Sequence, residues 1–186
     1  KIDILWYDAF WVHSLGAEAG HAEHAAFWGA PEINANARRL QPHIIINNRC
    51  GSIEDIDTPE QHVTASEPGR GWESCMTMGD LWGYIPHDPN IRSASQILNS
   101  LVTAASGEGN YLLNIGPKAD GSIAQREVSR LKIIGDWMRE YGESIYGSER
   151  CPFHPGRLGM MTAKGSTVYY HVFRWPKQAE FSLWGI

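Results

Sequence analysis

Four short apolar runs, each separated from the next by helix punctuation or a turn-rich stretch, set the architecture open to this chain. IDILWYD (2–8), HIIINN (43–48), the stretch 72–77 inside WESCMTM, and NYLLNIGP (110–117) are too short for helices and rich in β-branched and aromatic residues. They predict buried strands. Between the first two, PEINANARRLQP predicts a helix that begins behind Pro31 and stops before Pro42. SASQILNSLVTAASGEG has Ser at its start, apolar residues at helical spacing and Gly at its end. AQREVSRLKIIGDWMREYGESIYG predicts a long amphipathic helix with Val128, Leu131, Ile134, Trp137 and Met138 along one side. Helices alternating with apolar strands imply βα units and a parallel sheet, hence an α/β fold. Residues 51–70 are rich in Asp, Glu, Pro, Ser and Thr without periodicity and predict a long functional loop. Past Cys151-Pro152, STVYYHVFRWP and AEFSLWGI read as two strands of a short antiparallel β tail.

Composition removes several function classes. The formal net charge is -5, and the 16 Lys and Arg are scattered, so no basic face is available for a nucleic acid. No run approaches the roughly 20 apolar residues of a bilayer crossing, and the start KIDILWYDAF lacks a signal-peptide pattern. A soluble chain with no membrane partner is expected, of unassigned compartment. Cys50, Cys75 and Cys151 are odd in number and widely spaced, which favours buried free thiols over a disulfide framework or a zinc ribbon. His13, His21 and His24 lie close together without a convincing third ligand spacing, so no metal is expected. There is no GxGxxG after a strand, no GxxxxGK[ST] and no GxSxG, and no cofactor is expected.

Carboxylates beside aromatics at strand ends and on loops carry the chemistry that remains. Glycoside hydrolysis needs one group to attack the anomeric carbon and another to protonate the leaving oxygen. Asp8 ends the first strand between Tyr7 and Phe10-Trp11 and should face the mouth at the strands' carboxyl ends, although a cap or turn role would leave the same pattern. Glu60 sits in the loop motif TPEQ, where burial by aromatics would raise its pKa toward that of a proton donor. Thr58-Pro59-Glu60 is equally a helix-start signature with a solvated glutamate. Glu73 in WESC is the rival acid, or a carboxylate paired with an arginine. Arg49 would fork hydrogen bonds to sugar hydroxyls or hold a catalytic carboxylate. Trp82, followed by Gly83, offers an indole face to the apolar side of a sugar, or packs in the core. Tyr7 and Trp72, neighbours of the two carboxylates, complete the substrate-contacting set.

In order and spacing, LWYDAFW, RRLQPHIIINNRCG, TPEQ, GWESCMTMGDLWGY, SLVTAASGEGNYLLNIGPKADGSI, IGDWMREYGESIYG and STVYYHVFRWP resemble the family 29 α-L-fucosidases. The resemblance implies a (β/α) barrel followed by a β-sandwich, and hydrolysis of terminal α-linked L-fucose with retention. Asp8 in WYD matches the family's nucleophile, Glu60 in TPEQ its acid/base in many members, and Arg49 and Trp82 its sugar-contacting positions. Ala9 stands where the family commonly has Gly. The barrel strands that precede the nucleophile in the family are not in this sequence. The expectation is therefore a partial, truncated TIM-like barrel over 1–150 and a truncated β-sandwich segment over 151–186, acting on a fucosylated oligosaccharide or glycoconjugate. A half barrel with open edges implies a homo-oligomer. A catalytically silent fucose-binding remnant, or a fragment needing a separate N-terminal segment, is the alternative.

Overall fold

The computed structural model describes residues 2–8 and 20–177. The chain divides into two compact units, Lys1–Thr58 with Ser66–Trp72, and Pro59–Ala65 with Glu73–Ile186. Ala9, Phe10, Trp11 and His13, and the expected strand AEFSLWGI, lie outside the described residues.

In the first unit β1 (Ile4–Leu5) runs parallel to β2 (Ile45–Ile46), with Ile4 opposite Ile45 and Leu5 opposite Ile46. The connection carries α1 (His21–Trp28) and α2 (Ala30–Leu40). Pro31 occupies the first turn of α2, where a missing N–H costs nothing, and Arg38 and Arg39 occupy the last turn, where cations suit the carbonyl end. Ala25, Ala30 and Cys50 form a small core against which Tyr7 and Trp28 pack. After β2 the chain tightens into a 3-10 turn, Asn48–Cys50, and reverses at Gly51 with φ 82. A Cβ at Gly51 would lie 2.4 Å from the Ala25 backbone nitrogen, so only glycine lets this turn rest on α1.

Two expectations are corrected here. The run HIIINN is not buried on both faces: Ile46 is fully buried but Ile45 is 39% exposed. Its position beside β1 leaves that side chain facing outward. The loop 51–70 is not structureless either, because it contains β3 (Ile56–Asp57). Ile56 bridges Asn47 on one side and pairs in parallel with Gly71 on the other, while Asp57 pairs with Trp72. Those partners are distant in sequence, so no local pattern announced the strand.

In the second unit the later part of β4 (Gly71–Thr77) pairs in parallel with β5 (Asn110–Asn114), from Glu73 opposite Asn110 to Thr77 opposite Asn114. Between them α3 (Ala94–Ser106) starts on a capping box in which Ser93 Oγ accepts from the Gln96 N–H. It buries Ile97 and Val102 almost completely, each side chain contributing about 1.5–3 kcal/mol. Against α3 pack β5, α4 (Gln125–Tyr141) and the antiparallel sheet β6 (Glu149–Arg150), β7 (Gly159–Lys164) and β8 (Thr167–Val172).

Three further readings change in this unit. β5 is not a buried strand: Leu112 is 43% exposed while Tyr111 and Leu113 are half-buried, because β5 has one described neighbour, β4. On α4, Val128 is exposed and Glu127 is buried, whereas Leu131, Ile134, Trp137 and Met138 are half-buried. The packing face is set by α3 and the tail sheet and starts one position earlier than the apolar stripe. The tail strand over STVYYHVFRWP pairs with Gly159–Lys164 across the two-residue turn Gly165-Ser166. That partner, GMMTAK, has weak strand propensity and is held by burial of Met161 and Thr162.

Candidate functional site

In the first unit Asp8 lies three residues beyond the ladder of β1 and β2, with its side chain 69% exposed. Its Oδ1 accepts a hydrogen bond from Arg49 Nη1 at 3.0 Å. Arg49 itself is buried and anchored: Nε donates to Thr58 Oγ1 at 2.9 Å, Nη2 donates to the Thr58 carbonyl at 3.1 Å, and its guanidinium lies 4.7 Å from the centre of the Trp6 ring. Thr58 Oγ1 in turn donates to Asn48 Oδ1 at 2.9 Å. Exposure of Asp8 screens the ion pair, so its consequence is orientation more than stability. A fork fixed at one end on Thr58 and Trp6 presents Nη1 to the carboxylate in one geometry.

Tyr7 and Trp72 belong to this unit as well. The Tyr7 hydroxyl donates to Asn34 Oδ1 at 2.8 Å, and its pKa is raised by burial and by the nearby Cys50 and Glu54. Asn34 continues to Glu54 at 2.7 Å, and Glu54 to Arg38 at 2.8 Å. Trp72 is only 3% exposed and its ring is part of the core. Asp57 is paired with Arg70 at 2.7 Å, and its carboxyl is held below the ordinary range first by that hydrogen bond and then by Ser66. The acidic residues Glu54, Asp55 and Asp57 of the 51–70 stretch are thus occupied by Arg38 and Arg70.

In the second unit Glu60 is half-buried and forms an isolated parallel bridge with Cys75. Cys75 N–H donates to the Pro59 carbonyl and Gln61 N–H to the Cys75 carbonyl, both at 2.9 Å. Gln61 has φ 61, a left-handed conformation uncommon for a side-chain-bearing residue, and its side-chain amide is bonded to Thr77. The Glu60 carbonyl is 2.7 Å from His62 Nδ1. Thr58-Pro59-Glu60 starts no helix. Glu73 is half-buried in β4, and no hydrogen bond or ion pair joins it to an arginine among the described residues.

Trp82 is 40% exposed, and its carbonyl accepts from Asn114 Nδ2 at 2.7 Å. Gly116 of NYLLNIGP lies so close to Gly83-Tyr84 that a Cβ would meet their backbone at 3.0 Å, which ties the WGY turn to the end of β5. Among the described residues no group of three His, Cys, Asp or Glu has the geometry of a metal site, and all three cysteines are free. Asn47, Trp6 and Thr58 surround the Asp8 position and Gln61 adjoins Glu60. Only the repeated asparagine before Arg49 hinted at the first of these.

Comparison with known proteins bears on both halves. A family model described as Alpha-L-fucosidase matches residues 1–143. The human tissue α-L-fucosidase is 28% identical over 203 residues, an alignment that takes in 98% of this chain and 40% of that protein. The structure of α-L-fucosidase isoenzyme 1 from Paenibacillus thiaminolyticus superposes with a TM-score of 0.80 at 31% identity, covering 95% of this chain and 44% of that one. An α-fucosidase from Thermotoga maritima, solved in complex with a mechanism based inhibitor, gives a TM-score of 0.68 at 27% identity, covering 89% of this chain and 37% of that one. The chain spans about two fifths of the length of the curated relatives it matches.

Proposed function

The chain belongs to the α-L-fucosidase family, and on that premise we propose that it carries out hydrolysis of terminal α-L-fucosides by double displacement with retention. Asp8 attacks the anomeric carbon as the bond to the leaving oxygen breaks, and Glu60 gives that oxygen its proton. Water then attacks the same carbon, Glu60 takes the water's proton, and the ester to Asp8 is released. Glu73 is the alternative acid/base. Trp82 offers its exposed face to the sugar. The substrate is the fucosylated end of an oligosaccharide or glycoconjugate, and no cofactor takes part. The observation that carries this reading is the exposed Asp8 carboxylate three residues beyond a parallel strand pair, aimed by an anchored Arg49.

The architecture that goes with it is part of a TIM-like barrel over 1–150 and part of a β-sandwich over 151–186. Exposed Ile2, Ile4 and Ile45 in the first unit favour a homo-oligomer that covers this apolar surface.

The test is release of 4-nitrophenol from 4-nitrophenyl α-L-fucoside. Asp8→Gly should abolish turnover and azide should restore part of it, since a small anion can replace the missing nucleophile. Full activity in Asp8→Gly ends this reading. Between Glu60→Ala and Glu73→Ala, the variant of the true acid loses far more rate on an alkyl fucoside than on the aryl one, whose leaving group departs unprotonated. A second reading, a fucose-binding segment that is silent alone or needs a separate N-terminal segment, is favoured by the share of its relatives that the chain spans. Calorimetric fucose binding without turnover, or activity gained on adding that segment, would select it.

A further inference from the structure

We propose that Asn47 is a positioning residue for the Asp8 nucleophile, holding it through the backbone of Tyr7 by a two-point amide clamp. The parallel ladder of β1 and β2 ends at Leu5 opposite Ile46, three residues short of Asp8. Beyond it, Asn47 N–H still donates to the Leu5 carbonyl at 3.3 Å. From there the side chain replaces the ladder. The Tyr7 N–H donates to Asn47 Oδ1 at 2.8 Å, and Asn47 Nδ2 donates to the Tyr7 carbonyl at 2.9 Å. Both backbone groups of the residue before Asp8 are therefore taken by one side chain. The assignment of its oxygen and nitrogen is dictated by the partners, because a flipped amide would set donor against donor and acceptor against acceptor.

The clamp is rigid at its own end. Asn47 is fully buried, and its backbone bridges Ile56 of β3 in parallel register. Two positions further on, Arg49 holds Asp8 Oδ1 at 3.0 Å, so one turn of backbone, 47–49, grips both the peptide before Asp8 and its carboxylate. Neither contact needs Asn47 to touch a sugar. Misplacing a nucleophile by a fraction of an ångström costs rate more than affinity, and a side chain that holds both groups of Tyr7 fixes the backbone from which Asp8 extends. This role rests on the fucosidase reading with Asp8 as nucleophile.

The experiment compares Asn47→Ala and Asn47→Asp with the unaltered chain, and then places Asn47→Ala in the Asp8→Gly background with azide present. Turnover of 4-nitrophenyl α-L-fucoside should fall roughly 10- to 100-fold in Asn47→Ala, with KM changed less than about threefold. Asn47→Asp, which keeps the acceptor but sets a buried carboxylate oxygen against the Tyr7 carbonyl, should fall at least as far. In the Asp8→Gly background the azide-supported rate should be nearly insensitive to Asn47→Ala, since a diffusing anion does not depend on how the backbone holds residue 8. A drop there equal to the drop in the Asp8 background, or unchanged turnover in Asn47→Ala, overturns the proposal.

Amide hydrogen exchange of Tyr7 reads the clamp without any turnover. Its protection should drop at least about tenfold in Asn47→Ala, which removes the acceptor of that amide, while β4 amides keep theirs. If the unaltered chain shows no turnover, the fucosidase reading falls and exchange alone judges the clamp. Lost protection at Tyr7 then upholds it and unchanged protection overturns it.

Discussion

Arg49 illustrates how one side chain serves both architecture and chemistry. Its Nε and Nη2 are bonded to Thr58, its plane lies over Trp6, and Nη1 reaches Asp8. Lysine keeps the charge but has neither the fork nor the planar face. Arg49→Lys should therefore lower stability by about 1–3 kcal/mol, read as a shift of the urea midpoint, and also reduce turnover; a variant as stable and active as the parent would show that the fork is dispensable. Asp57 makes a prediction in pH. Its carboxyl is shifted down by Arg70 and then Ser66, so the folded state binds that proton less readily than the unfolded chain. The stability this supplies is fully present above the unfolded value near about pH 4 and disappears as pH falls through the lower folded value. The stability gap between Arg70→Met and the parent should be widest at neutral pH and shrink progressively as pH falls below about 4. Equal gaps in urea titrations above and below that pH would refute the linkage.

Among the elements, α2, α3 and α4 were legible, α1 over the Ala- and His-rich stretch was not, and the strands were only partly so. α2 starts at Ala30, one residue ahead of Pro31, and stops before Pro42 as its punctuation required, and α3 opens on Ser93 and closes at Gly107. These signals act within a turn of the residue that carries them, so the sequence states them directly. β3 and β7 escaped notice because Ile56–Asp57 and GMMTAK become strands through partners far along the chain. The turn at Gly51 is where an element depends on one residue. Gly51→Ala meets both a positive φ and the Ala25 backbone at 2.4 Å. It should destabilise by at least about 2 kcal/mol, with the Arg49 turn loosened. Calorimetry tests this, and an unchanged melting temperature would mean that the loop lifts off α1 at no cost.

For the whole molecule, the residues that the sequence put forward for the site are divided between its two units, Asp8, Tyr7, Arg49 and the core residue Trp72 in the first, Glu60, Glu73 and Trp82 in the second. β4 supplies neighbours to both, since Trp72 belongs to one unit and Glu73 to the other. The exposed isoleucines at positions 2, 4 and 45 make the homo-oligomer testable at this scale. Size-exclusion chromatography with light scattering should give a multiple of 20.8 kDa at micromolar concentration. A stable species at the single-chain mass would remove that proposal. The residues themselves announced a chain of βα units, a carboxylate at the end of its first strand and an arginine after its second, because strand propensity, helix caps and residue chemistry are written locally. Only the tertiary structure decided that Asn47 grips Tyr7 across 40 positions, that Arg49 is anchored on Thr58, and that Leu112 and Val128 face outward. Those outcomes depend on which surfaces meet, and contacts between residues remote in sequence leave no periodicity from which to read them.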